Sequence, residues 1–89
     1  MAKKVILYGT ATCPGCKKAK EILDAEGIKY GYIDVLADLG RLKKFITMRD
    51  AHPAEFAKTV ENEKIGIPCL MVDDETLYVG LPEDLDLLR

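Results

Sequence analysis

Histidine occurs once in this sequence, tryptophan not at all, and cysteine only three times in 89 residues. Each shortage excludes something. An odd number of cysteines, two of them three positions apart, rules out the paired-disulfide framework of a small secreted domain. The lone histidine, His52, stands before Pro53 in a connection and reads as a turn residue rather than a catalytic base. Neither sign of charge is in large excess: 13 Lys and Arg face 15 Asp and Glu, a net charge of −2 that leaves no basic footprint for nucleic acid. Long apolar runs are missing too. Val5-Ile6-Leu7-Tyr8 gives way at once to Gly9 and the polar Thr10 and Thr12, too short for a signal-peptide core and far too short to span a bilayer. The expectation is a soluble, cytoplasmic chain with no membrane or nucleic-acid partner.

What is present is a globular composition, 48% hydrophobic and 31% charged, in a length that makes one domain over residues 1–89. Val5 to Tyr8 is a continuous apolar run of strand formers, which fits a strand buried on both faces. From Pro14 to about Glu26 the apolar positions Ala19, Ile22 and Leu23 follow helical spacing, with Pro14 in the first turn and Gly27 as the stop. Tyr30 to Val35 reads as a second strand, parallel to the first. Ala37 to Glu63 reads as long and helical, with Leu39, Leu42, Phe45, Ile46 and Met48 on one apolar face. The stretch Arg49-Asp50-Ala51-His52-Pro53 interrupts it, because a residue before proline avoids the helical region. A second short helix from Pro53 to about Val60 then carries Phe56 and Val60 inward. Cys69 to Val72 is a strand, Asp73 to Thr76 a hairpin turn, and Leu77-Tyr78-Val79 an antiparallel edge strand. Pro82 opens a last short helix with Leu85 and Leu88 facing inward.

The chemistry lies in Cys13-Pro14-Gly15-Cys16, at the junction of the first strand and first helix. A Cys-x-x-Cys there, in a small cytosolic chain, reads as a dithiol redox site. Cys13 precedes the helix, where unpaired amides and the macrodipole favour a thiolate. Cys16, one turn in, is expected to be more buried and to act second. Lys17, Lys18 and Lys20 read either as a solvated helix face or as positive charge tuning the Cys13 thiolate. A zinc half-site is the competing reading, but a structural zinc site closes with four ligands and only Cys69 and His52 remain. No metal ligand is therefore assigned. Cys69, inside a strand, reads as a small buried hydrophobe or as a third thiol near the pair.

Four features arranged in order carry a resemblance. Tyr8 stands five residues before the first thiol, and Cys13-Pro14-Gly15-Cys16 opens the first helix. Ile67-Pro68 precedes the third strand, and Gly80 is followed by Glu83-Asp84-Leu85. On these, essentially the whole chain resembles the glutaredoxin branch of the thioredoxin fold. The resemblance implies an α/β thioredoxin-like fold: a central four-stranded mixed sheet in the order β-α-β-α-β-β-α, here with an extended or doubled second helix. It implies a thiol–disulfide oxidoreductase, acting as a monomer on disulfide-containing proteins, with catalytic Cys13 and Cys16 and no bound cofactor. Tyr8, Pro14, Lys17, Ile67, Pro68 and Gly80 are then the residues that line a substrate or glutathione site, Tyr8 reading also as a packing residue under the active-site turn, and Pro68 is expected to be cis. A cis proline there removes an amide and also turns the backbone of Ile67 toward the thiols, where an extended peptide or glutathione pairs with it.

Departures from the family pattern bear on the electron donor. Many glutaredoxins carry a lysine three residues before the first cysteine, where this chain has Thr10. The family's Gly-Gly before the last helix is Gly80-Leu81-Pro82 here, and Pro82 has no N–H to offer. Tyr78-Val79-Gly80-Leu81 with Asp84 is also similar to the redoxins that reduce ribonucleotide reductase and draw electrons from thioredoxin reductase. The additional helix resembles small glutaredoxin-related proteins of anaerobic bacteria. Glutathione as co-substrate and thioredoxin reductase as donor both stay open, and so does a different class of function, a glutathione-dependent iron–sulfur cluster or metal carrier. A fold relic serving as a binding module is the third reading; it requires that Cys13→Ser change nothing.

Overall fold

Apolar side chains on the first strand point alternately into two cores, and that alternation places the rest of the chain. The structure, a computed structural model, describes residues 3–62 and 64–89. Its elements are β1 (Val5–Gly9), α1 (Pro14–Ala25), β2 (Gly31–Asp34), α2 (Leu39–Ala51), α3 (Pro53–Glu61), β3 (Cys69–Val72), β4 (Thr76–Val79) and a closing 3-10 turn, Leu85–Leu88. The sheet order is β2-β1-β3-β4, with β1 parallel to β2 and antiparallel to β3, and β4 antiparallel to β3 on the edge. Val5 and Leu7, with Leu70 and Val72 beside them, meet Leu23 of α1 and Leu88 of the closing turn on one face. Tyr8, Cys69 and Met71 meet Phe45 of α2 and Phe56 of α3 on the other. Helices on both sides of a mixed sheet follow directly. Among the described residues no helix is long and apolar enough to cross a membrane.

The thioredoxin-like arrangement and the doubled second helix are as the sequence implied, and four details differ. The second helix runs on to Ala51, past the predicted break at Arg49, because the proline restricts only the residue immediately before it. His52, with φ −124° and ψ 58°, closes α2 and opens α3 at once. The predicted apolar face of α2 and α3 is not a core face throughout. Phe45 and Phe56 are fully buried, but Leu39, Ile46 and Val60 are 66%, 44% and 56% exposed. One aromatic from each helix enters the sheet face. Those two rings meet edge to face, 6.3 Å between centroids. Finally, the last element is a 3-10 turn capped by Asp84 rather than an α-helix. Glu63, at the end of the predicted helical stretch, lies outside the described residues.

The β3–β4 hairpin turns through Asp73 and Asp74, both at positive φ (54° and 57°), with the Glu75 N–H donating to the Val72 carbonyl. This is the type I′ form, in which glycine is favoured at the second position. Asp73 is committed: its Oδ1 accepts from the Lys4 N–H at 2.8 Å. Asp74 has only an exposed ion pair with Lys4 Nζ at 3.2 Å, which contributes little. Asp74→Gly is therefore expected to raise stability by about 0.5–1 kcal/mol, strain relief outweighing the added freedom of the unfolded chain. A urea midpoint that moves upward at constant slope checks it, and a downward shift means that the ion pair outweighs the strain.

Candidate active site

β1 ends under the thiol pair. After Gly9 the chain turns over Thr10, which is buried, and the Cys13 N–H donates to the Thr10 carbonyl at 3.2 Å. Cys13 is extended (φ −93°, ψ 116°) and caps α1, with Pro14 at the first helical position, so no amide is lost there. The Cys16 N–H donates to the Sγ of Cys13 at 3.4 Å. The two sulfurs thus share one helical turn, and all three cysteines are free thiols. They differ sharply in access. Cys13 is half-buried, whereas Cys16 is fully buried. A β-carbon on Gly9 would come within 2.9 Å of the Cys16 Sγ, so that sulfur lies directly against the strand. Burial first, then the hydrogen bond with Cys13, pushes the Cys16 thiol up to about 11. Cys69 is fully buried as well, and burial followed by the charge of neighbouring Cys16 pushes it up to about 12. That is the setting of an inert thiol at neutral pH.

The structure brings Pro68, Gly80 and the motif together. The Ile67–Pro68 bond is cis. Gly15 lies beside the proline, 3.4 Å from its Cδ to the position of a β-carbon. The Gly80 N–H donates to the Pro68 carbonyl at 2.7 Å, holding the end of β4 against the active-site segment. Ile67 makes no backbone hydrogen bond among the described residues outside regular elements, and its side chain lines a cleft next to Cys13. Two expected site residues stand elsewhere. Tyr8 is buried, its ring 6.0 Å from that of Phe45, so it supports the turn from below and does not face a substrate. Burial first raises its phenol above the ordinary value. Lys17 lies on the far flank of α1 with Thr10, Ala11, Lys20 and Tyr32 around a small hollow of about 280 Å³; the Lys20 Nζ sits 4.2 Å above the Tyr32 ring. His52 is near Glu55, and among the described residues no three His, Cys, Asp or Glu side chains form a metal-ligating group.

The cleft itself was not anticipated. It encloses about 630 Å³ between α2 and the segment 64–67, with Thr12 and Cys13 at one end. Leu42, Ile46 and Arg49 reach it from α2, Leu36 from the end of β2, and Lys64 and Ile65 from the segment. The i, i+4, i+7 spacing of Leu42, Ile46 and Arg49 was visible in the sequence, but an apolar helix face reads as core until something is seen not to cover it.

These features have counterparts in known proteins. The glutaredoxin family model, described as "Glutaredoxin", matches residues 5–77. The chain is 33% identical over 78 residues to an uncharacterized protein of Haemophilus influenzae, covering 88% of this chain and 90% of that one. It is similar in structure to the crystallised glutaredoxin from Methanosarcina mazei Go1, with a TM-score of 0.64 and 29% identity over 90% of this chain and 70% of that chain. A match through nearly the whole sheet, and a thiol pair at the end of β1, have one reading in common: the chain belongs to the glutaredoxin family, whose redox function is of the thiol–disulfide oxidoreductase type.

Proposed function

We propose that this protein reduces disulfides of proteins, or mixed disulfides, by a dithiol cycle on Cys13 and Cys16. The observation that carries the reading is the unequal access of two cysteines in one helical turn, the outer half-buried and the inner fully buried. The Cys13 thiolate attacks one sulfur of the substrate disulfide, forms a mixed disulfide, and expels the other substrate sulfur as a thiolate that takes up a proton. Cys16 then loses its proton and attacks the Cys13 sulfur. The second substrate thiol leaves, and a Cys13–Cys16 disulfide remains. Two electrons from a reductant restore the dithiol. Ile67, beside cis-Pro68, offers its backbone to an extended substrate segment as an added strand does elsewhere.

The amides near Gly80 bear on the donor. Of residues 80–82, Gly80 already donates to Pro68 and Pro82 has no N–H, so this turn offers glutathione one amide, that of Leu81. Thr10 brings no charge where many glutaredoxins have a lysine. Thioredoxin reductase is therefore the favoured donor. Turnover of hydroxyethyl disulfide, run with glutathione plus its reductase beside thioredoxin reductase, is expected to be at least about tenfold faster with the latter, the factor that one lost charge-assisted contact of about 1.5–3 kcal/mol supports. Equal or faster turnover with glutathione overturns the donor assignment. Failure with both donors, together with failure of the two thiols to form a disulfide, overturns the exchange cycle.

A further inference from the structure

We propose that the cleft beside Cys13 selects the protein disulfide to be reduced by its neighbouring residues: an extended segment with a large apolar side chain next to the attacked cysteine and a carboxylate two or three residues away. The proposal rests on the exchange cycle and names its substrate class. Three elements contribute exposed aliphatic side chains to this one hollow. Leu36 from the end of β2 is 58% exposed, Ile46 from α2 44% and Ile65 from the 64–67 segment 53%. Single exposed aliphatics are ordinary, but a set converging on one cleft next to a reactive thiol marks a binding surface.

The far end of the cleft is basic. Arg49 donates from Nη2 to the Lys64 carbonyl at 3.4 Å, which ties the last turns of α2 to the segment and sets its guanidinium beside Lys64 at the cleft wall. Among the described residues neither side chain is in an ion pair, and no Asp or Glu lines the cleft. An anionic group is the complement that this end lacks among the described residues.

The distance between the two ends follows from topology. β2 runs parallel to β1, so the chain leaves it at the end of the sheet where Cys13 sits, and α2 starts there and runs away. From Leu42 to Arg49 the helix rises about 10 Å at 1.5 Å per residue. An extended chain covers that with about three residues. A leucine-sized side chain beside the cysteine then lies on the aliphatic walls while a carboxylate reaches Arg49. In glutathione the cysteine is followed by glycine, which leaves those walls uncovered.

Symmetric disulfide dimers of end-blocked peptides test this: Cys-Leu-Ala-Glu, Cys-Gly-Ala-Glu and Cys-Leu-Ala-Gln, each also in reversed order, mixed with the pre-reduced full chain. In the better of the two orders, leucine is expected to react at least about tenfold faster than glycine, the scale set by lost apolar contact in a pocket. Glutamate is expected to react about threefold faster than glutamine, a preference lost in 0.5 M salt and in Arg49→Gln, and Ile46→Ser is expected to narrow the leucine preference. Equal rates for all peptides, with hydroxyethyl disulfide still reduced, overturn the cleft assignment alone. Glutathione disulfide reacting as fast as the best peptide also overturns it. If no disulfide reacts, hydroxyethyl disulfide included, the exchange cycle falls and the substrate class with it.

Discussion

Cys13→Ser is expected to lower disulfide turnover by about a thousandfold or more, while Cys16→Ser stops the same reaction halfway, with the substrate left covalently attached to Cys13. Removing a nucleophile costs most of its reaction, and among the described thiols only that of Cys13 is reachable, since Cys16 and Cys69 are fully buried. Mass spectrometry of Cys16→Ser mixed with a protein disulfide will show one adduct per chain, reversed by excess thiol. Cys13→Ser will show none. The second half of the cycle carries its own pH signature. With its thiol held up to about 11, chiefly by burial, Cys16 is a thiolate in roughly one molecule in ten thousand at pH 7, and the attacking species is the thiolate. Raising the pH fills that population, so resolution of the mixed disulfide is expected to speed up about tenfold per unit between pH 6 and pH 9. Burial is the cause that persists once Cys13 is in a disulfide, so the slope persists too. A flat profile in single-turnover measurements would overturn the assignment of Cys16 as the slow, buried resolver.

Gly66→Ala is expected to cost about 2–6 kcal/mol, a large share of the roughly 5–15 kcal/mol that holds a small domain together. Two causes add. Gly66 has φ +102°, where an L side chain is strained by about 1–3 kcal/mol. A β-carbon there also meets the Phe56 ring at 2.7 and 2.8 Å and the Thr59 methyl at 3.2 Å. The ring has nowhere to go, since Phe56 is fully buried and set edge-on to buried Phe45; forced overpacking costs about 1–3 kcal/mol. Gly80→Ala is the internal comparison. Its φ of +82° is also positive, but nothing lies within 4 Å of the added carbon, so only the strain of about 1–3 kcal/mol applies. Urea unfolding of the two variants separates strain from collision. A Gly66→Ala loss no larger than that of Gly80→Ala would mean that the aromatic pair yields.

Much of this was legible from short-range chemistry. Pro14, Gly27 and the Cys-x-x-Cys mark the ends of α1 within the span of one helix, and the cis bond at Pro68 followed from the family pattern. What escaped the sequence depends on contacts between distant segments. Periodicity placed Ile46 and Arg49 on one face of α2 with Leu42 and Phe45, but only the return of residues 64–67 across the sheet decides that Phe45 is core and Ile46 a cleft wall. The closing helix failed for a local reason: eight residues from Pro82 to Arg89, with the Asp84 side chain accepting from the Asp86 N–H and the Asp86 carboxylate from the Arg89 guanidinium, favour a tight capped turn over two turns of α-helix. The proximity of Cys69 to Cys16 arises across β1 and β3, and along the chain its one sign is the neighbouring Pro68 of the family pattern.

The placement of one sulfur in reach of solvent and its neighbour against Gly9 also bears on survival under peroxide. An oxidant meets Cys13 first and converts it to a sulfenic acid, the last readily reversible stage before sulfinic acid. Cys16, one turn behind and shielded from the same oxidant, condenses with it to a disulfide and releases water. On the proposed dithiol cycle, damage is thereby diverted into the oxidised form that the reductant of that cycle removes, and the burial that slows the inner thiol is what keeps it intact for that rescue.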